Sequence, residues 1–228
     1  MTPQELKDMH IQVTDADYDR IGAYIPLARR TMSTTLTSEE RAKNICFGLT
    51  GECGELADMY KKHLFHGHEL DKEKVIKECG DIMWYLANAM YHMNTERVAE
   101  VRSALDTSRD DGRKITPYWK PLKRLYYNVE GSTENATFEF DYKQPILELS
   151  HVSATLGHLL LTPYLKTLYF SRTRSSTQIV MMIYIIKGIL RSVGSDLDEC
   201  LRLNVEKLKK RYPEGFSTED SINRRDVR

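Results

Sequence analysis

Apolar residues recur at three- and four-residue spacings over much of the chain, and these intervals predict helices rather than strands. From about Asp15 to Thr31, Tyr18, Ile21, Tyr24, Ile25 and Ala28 share one helical face, with Pro26 placed to kink it. Thr37 or Ser38, followed by Glu39 and Glu40, reads as an N-cap with an acidic first turn, so a second helix begins there and runs to about Leu64. His66-Gly67-His68 breaks the pattern. Asp71 then opens a third helix through Val75, Ile76, Cys79, Ile82, Met83, Leu86 and Met90, ending near Met93. The short connection makes the second and third helices antiparallel neighbours.

The pattern changes after this. Ser108 to Pro121 gathers Asp-Asp-Gly, Thr-Pro and Lys-Pro breakers around Trp119 and predicts a loop. Arg124 to Val129 and Thr137 to Tyr142, rich in aromatic and β-branched residues, flank a polar turn and suggest a small β-hairpin. Helical periodicity returns at 145–169 and 178–193, and a last helix spans about Ser195 to Arg211 before Pro213 stops it. The expected fold is all-α: a four-helix-bundle-like core from residues 1–94 and 194–228, with 95–193 as a long, mainly helical insertion or a degenerate second helical hairpin.

Composition narrows the function classes. Lys plus Arg and Asp plus Glu each total 33 of 228 residues, so no net field draws the chain to nucleic acid or an anionic membrane, and recognition is local. Cys46, Cys53, Cys79 and Cys200 follow no CxxC or Cys/His metal spacing, and the N-terminus lacks a signal-peptide pattern, which fits a reducing cytoplasm. The most apolar run, Ile179 to Leu190, is too short for a membrane span and contains Lys187, so it reads as a buried helix.

The chemistry is concentrated in two short motifs. Glu52 and Glu55 are three residues apart and project from one helical face; Glu78 and Asp81 repeat that geometry on the next helix. Antiparallel packing with these faces inward brings four carboxylates together. Such crowding is unfavourable without cations, and all-oxygen ligation suits Mg²⁺ or Mn²⁺, with positions left for water and phosphate oxygens. Gly54 and Gly80 each cost about 1 kcal/mol in a helix interior, so a close approach by backbone or ligand is expected there. The ordinary alternative pairs these acids with Lys61, Lys62, Lys74 and Lys77 on solvated faces. A ferritin-like di-iron site would need Glu-x-x-His, which occurs as Glu148 to His151 but is not repeated near the four acids.

Residues 48–90, GLTGECGELADMYKKHLFHGHELDKEKVIKECGDIMWYLANAM, resemble the MazG-like branch of the all-α nucleoside triphosphate pyrophosphohydrolases, in which ExxE and ExxD are followed by Trp-Tyr-Leu. The segment from Leu201 to Arg225, with Asn204, Lys207, Leu208, Arg211 and Tyr-Pro-Glu-Gly-Phe, resembles the tail of that family, and Tyr24, Ala28 and Thr31 suit its first helix. The stretch from about 95 to 193 is longer than the family's short connection. This leaves open whether Asn204, Lys207 and Arg211 serve the site of their own subunit or of a partner.

The resemblance implies magnesium-dependent hydrolysis of a nucleoside triphosphate between the α and β phosphates, with Glu52 activating water. Lys61, Lys62, Lys207 and Arg211 are candidate phosphate contacts, and Tyr85, one turn after Asp81, is placed to reach the phosphates or a carboxylate. Asn204 is a candidate for a sugar or base. Trp84 reads as core rather than a base-stacking platform, and His66 and His68 as exposed loop residues. Open four-helix units bury their free face against a copy, so a homodimer or tetramer is expected. An alarmone hydrolase, and a catalytically idle interaction protein acting through 95–193, are the rival readings.

Overall fold

The computed structural model describes residues 13–104, 145–165 and 172–223, and among these the chain forms seven helices and no strand. The expected loop at 108–121 and hairpin at 124–142 lie outside the described residues.

Helix α1, Asp15–Arg29, opens with a reciprocal capping box: Thr14 Oγ1 accepts from the Asp17 backbone while Asp17 accepts from the Thr14 backbone. Pro26 lies inside the helix, four residues after Gly22. Helix α2, Ser38–His66, repeats the capping box with Thr37 and Glu40. It ends where Gly67 takes a left-handed φ of 73°, a conformation that glycine adopts without steric cost. Asp71 accepts from the Lys74 backbone and starts α3, Lys72–Ala104, which runs about three turns beyond the end that periodicity suggested. Helices α4, Pro145–Leu165, and α5, Arg172–Ser192, form the second hairpin, α5 beginning earlier than its apolar run. Asp196 caps α6, Leu197–Arg211, and α7 is the short Thr218–Asn223.

Helix α3 is the hub, packed against α1, α2, α5 and α6, while α2 makes its broadest contact with α4. One hydrophobic cluster unites these elements: Leu49 and Leu56 of α2, Ile82, Met83 and Leu86 of α3, Leu149 and Leu156 of α4, Ile183 and Ile186 of α5. Helices α4 and α5 are therefore part of the same core as α2 and α3. Gly157 lets α4 approach α2 closely enough for the Cys46 thiol to donate to the Gly157 carbonyl at 3.1 Å. After α6, the chain returns to the end of α1, where the Arg30 guanidinium donates to the Tyr212 and Pro213 carbonyls.

Lys187, the charge within the most apolar run, is 7% exposed and donates to Asp17 Oδ2 at 2.5 Å. Thr14 donates twice to the same oxygen, from its backbone and its hydroxyl. Burial works to raise the Asp17 pKa, yet these hydrogen bonds hold it below its ordinary value. The pair fastens α5 to α1. Among the described residues, no single helix is long and apolar enough to cross a membrane.

Breaking one side of a buried ion pair strands the other charge, which typically costs about 3 to 5 kcal/mol. Lys187→Met should lower the unfolding free energy by about 3 kcal/mol in urea titrations, and adding Asp17→Asn should recover most of the loss.

Candidate metal centre

The two acidic motifs lie on the facing helices α2 and α3. Glu52, Glu78 and Asp81 each place one carboxylate oxygen within 4.8 Å of those of the other two. Glu78 is buried, and Glu52 and Asp81 are half-buried. Glu55 is exposed at the rim and lies outside this group, but its charge still reaches it. The electrostatic influences follow the antiparallel register. Burial first, then the charges of Asp81, Glu78 and Glu55, push the Glu52 carboxyl up to about 8. Burial, followed by Glu55 and then Asp81, raises Glu78.

Helix α6 packs against α3 and brings two side chains to Asp81. Asn204 Nδ2 donates to Asp81 Oδ1 at 2.9 Å, and Lys207 Nζ donates to Asp81 Oδ2. The Asn204 oxygen accepts from the Tyr24 hydroxyl at 2.6 Å, so α1, α6 and α3 are joined by a single chain of hydrogen bonds. Burial pushes the Tyr24 hydroxyl well above its ordinary pKa, which keeps it a donor. Gly80 makes room for this arrangement: a Cβ there would stand 3.1 Å from the Asn204 side chain. Tyr24 was legible as a first-helix residue on the core face but not as a partner of Asn204, because nothing in its local sequence reveals a contact 180 residues away.

Tyr85 lies across Gly48 of α2, where an added Cβ would overlap the phenol ring at 1.9 Å. Burial and then the charges of Glu52 and Asp81 push its hydroxyl up to about 12, while Arg211 pulls the other way, so both neighbours act on it. Trp84 stands edge-on to Tyr85 at 4.7 Å between ring centroids, and its Nε1 donates to Thr31 Oγ1 and the Ala28 carbonyl. It is a structural tie to α1. A glycine in mid-helix, one turn before Glu52, was the available signal for the Tyr85 contact.

Not every candidate gathers here. Lys61 and Lys62 both pair with Asp58, at 2.5 and 2.6 Å. Lys62 also lines a cleft of about 570 Å³ beside the site, with Gly51, Gly54, Glu55, His68 and Lys74 on its walls. Gly54 meets nothing within 4 Å of an added Cβ and leaves this wall open, whereas Gly80 serves helix packing. Arg211 stacks its guanidinium 6.0 Å from the Tyr212 ring. Glu148 and His151 line a separate pocket with Leu147, Val152 and Met181, and neither joins the carboxylate group.

The arrangement is thus a half-buried, all-oxygen group of carboxylates met from α6 by one ammonium, Lys207, and one amide, Asn204. Comparisons of the chain with protein-family profiles, with curated proteins and with solved structures return no match.

The Glu52 shift has a definite sign. An acid whose folded pKa lies above its unfolded value binds more protons when folded, so stability is full below pH 4.5 and is lost as pH rises toward about 8. Metal-free protein should lose stability across that window with a slope approaching ~1.4 kcal/mol per pH unit, and Glu52→Gln should flatten it in denaturant titrations. Gly48→Ala should displace Tyr85 and cost about 1 to 3 kcal/mol, despite alanine's better helix propensity.

Proposed function

We propose that the chain is a divalent-metal-dependent nucleoside triphosphate pyrophosphohydrolase, converting an NTP or dNTP and water to the monophosphate and pyrophosphate. The observation that carries this reading is the convergence of Glu52, Glu78 and Asp81 from two neighbouring helices. The resemblance of residues 48–90 to MazG-like enzymes supports it from the sequence side.

The donor set fits Mg²⁺, with Mn²⁺ as a substitute. It offers hard carboxylate oxygens only, too few to complete an octahedral shell, and so leaves room for water and phosphate. Glu52, Glu78 and Asp81 would hold the ion, with Glu55 at the rim. When bound, the metal neutralises the triphosphate and stabilises charge developing on the α-phosphoryl group and the leaving pyrophosphate.

The side chains around it supply the rest. The water oxygen attacks the α-phosphorus and the bond to the α,β-bridging oxygen breaks, with pyrophosphate carrying away the electron pair. Glu52, which would be ionised once a cation offsets the neighbouring carboxylates, keeps one oxygen free of the ion to take the proton from that water and release it to solvent. Lys207 and Arg211 bind phosphate oxygens. The Tyr85 hydroxyl, held up to about 12, stays protonated at neutral pH and donates to a phosphate or carboxylate oxygen. Lys62 lines the cleft with Glu55 and would contact a part of the nucleotide that enters it. Asn204 is assigned to Asp81 rather than to a sugar or base, because both polar atoms of its amide are occupied within the protein.

A panel of ordinary and damaged NTPs and dNTPs, with and without Mg²⁺, tests the reading. Pyrophosphate should appear only with the metal, and Glu52→Gln and Asp81→Asn should each lower kcat by about 10² or more. A folded protein that releases no pyrophosphate from any of them, with Mg²⁺ or Mn²⁺, would overturn the proposal.

A further inference from the structure

Both oxygens of Asp81 are engaged by α6, but the two donors differ in their freedom to leave. Asn204 is 3% exposed, packs against Gly80, and accepts from the buried Tyr24 hydroxyl. Turning its amide away would leave that hydroxyl and Asp81 Oδ1 unsatisfied at once. Lys207 has a flexible four-carbon stem and a side chain 23% exposed, and its ammonium meets Asp81 at the edge of the carboxylate group. A cation held by Glu52, Glu78 and Asp81 would lie next to that ammonium and compete with it for the same carboxylate.

We propose, on the basis of the metal-dependent reading above, that Lys207 is an exchangeable internal counter-ion. It neutralises Asp81 while the site lacks metal, yields that carboxylate when a divalent cation binds, and turns its ammonium to the phosphate oxygens of the incoming nucleotide. Asn204 remains in place throughout and holds Asp81 in position. The exchange couples the two ligands. Metal alone must break the Lys207 to Asp81 contact, whereas metal with a polyphosphate gives the displaced ammonium a new anionic partner, so each ligand tightens the binding of the other by the same factor.

This role predicts opposite signs for two affinities. In calorimetric titrations of the full chain, Lys207→Met should bind Mn²⁺ alone roughly tenfold more tightly than the native protein, since a competing charge-assisted contact is gone. In saturating Mg²⁺ the same variant should bind inorganic pyrophosphate roughly tenfold more weakly. Lys207→Arg, which keeps the charge, should change Mn²⁺ affinity much less. Lys210→Met, three residues further along α6, reports the general effect of removing one positive charge and should leave both affinities within about twofold of the native values. Lys207→Gln provides a second neutral variant, and circular dichroism verifies that each protein is folded.

Equal or weaker Mn²⁺ binding by both neutral variants would overturn the counter-ion role, because a purely structural ion pair leaves the site poorer when it is lost. Unchanged pyrophosphate affinity would overturn it too. If folded native protein and variants alike fail to bind Mn²⁺, the metal-dependent reading falls as well. That result is distinguishable from the preceding ones by the behaviour of the native chain.

Discussion

The structure depends on the placement of like charges in a partly dehydrated space. Helices α2 and α3 pack through Leu49, Leu56, Ile82 and Leu86, and that packing forces the acidic edges of both helices together. Hydrophobic burial on one side of each helix thus sustains electrostatic crowding on the other. Protons relieve it, as the elevated Glu52 and Glu78 carboxyls show, and so does the ammonium of Lys207. The unfavourable charge density is retained beside a core that would be more stable without it, a tension common at functional sites.

The surrounding elements hold this cluster in one geometry. Tyr24, Asn204 and Asp81 form a line of hydrogen bonds across three helices, and Gly80 permits the close approach that the line requires. Trp84 and Tyr85, adjacent in sequence, point to different tasks: one ties α3 to α1, the other lies over Gly48 with its hydroxyl near the acids. The Asp17 to Lys187 pair does comparable work in the first turn of α1, where it anchors α5. Helices α4 and α5 then cover α2 and α3 with apolar surface, while Glu55 at the rim lines an open cleft.

Periodicity made most of the helices legible, because they carry an apolar stripe and several have recognisable caps. Thr14, Thr37, Asp71 and Asp196 all sit where a side-chain oxygen satisfies the free amides of a first turn. Helix ends were less legible. α3 runs on past Met93 because polar residues continue a helix readily once it is nucleated. The four-acid motif was visible, but its symmetry was misleading. Residues three apart differ by about 60° around a helix axis, so Glu52 can join Asp81 and Glu78 while Glu55 stands on the rim.

The sequence by itself determined the helical class, the caps and the two acidic pairs, because these depend on neighbours within a turn or two of the chain. Only the tertiary structure decided that Asn204 and Lys207 would meet Asp81, that Tyr24 would orient Asn204, and that Lys187 would find Asp17. Those contacts join residues more than a hundred positions apart. Their energies arise from desolvation and geometry that exist only once the helices have packed, and no local spacing encodes them.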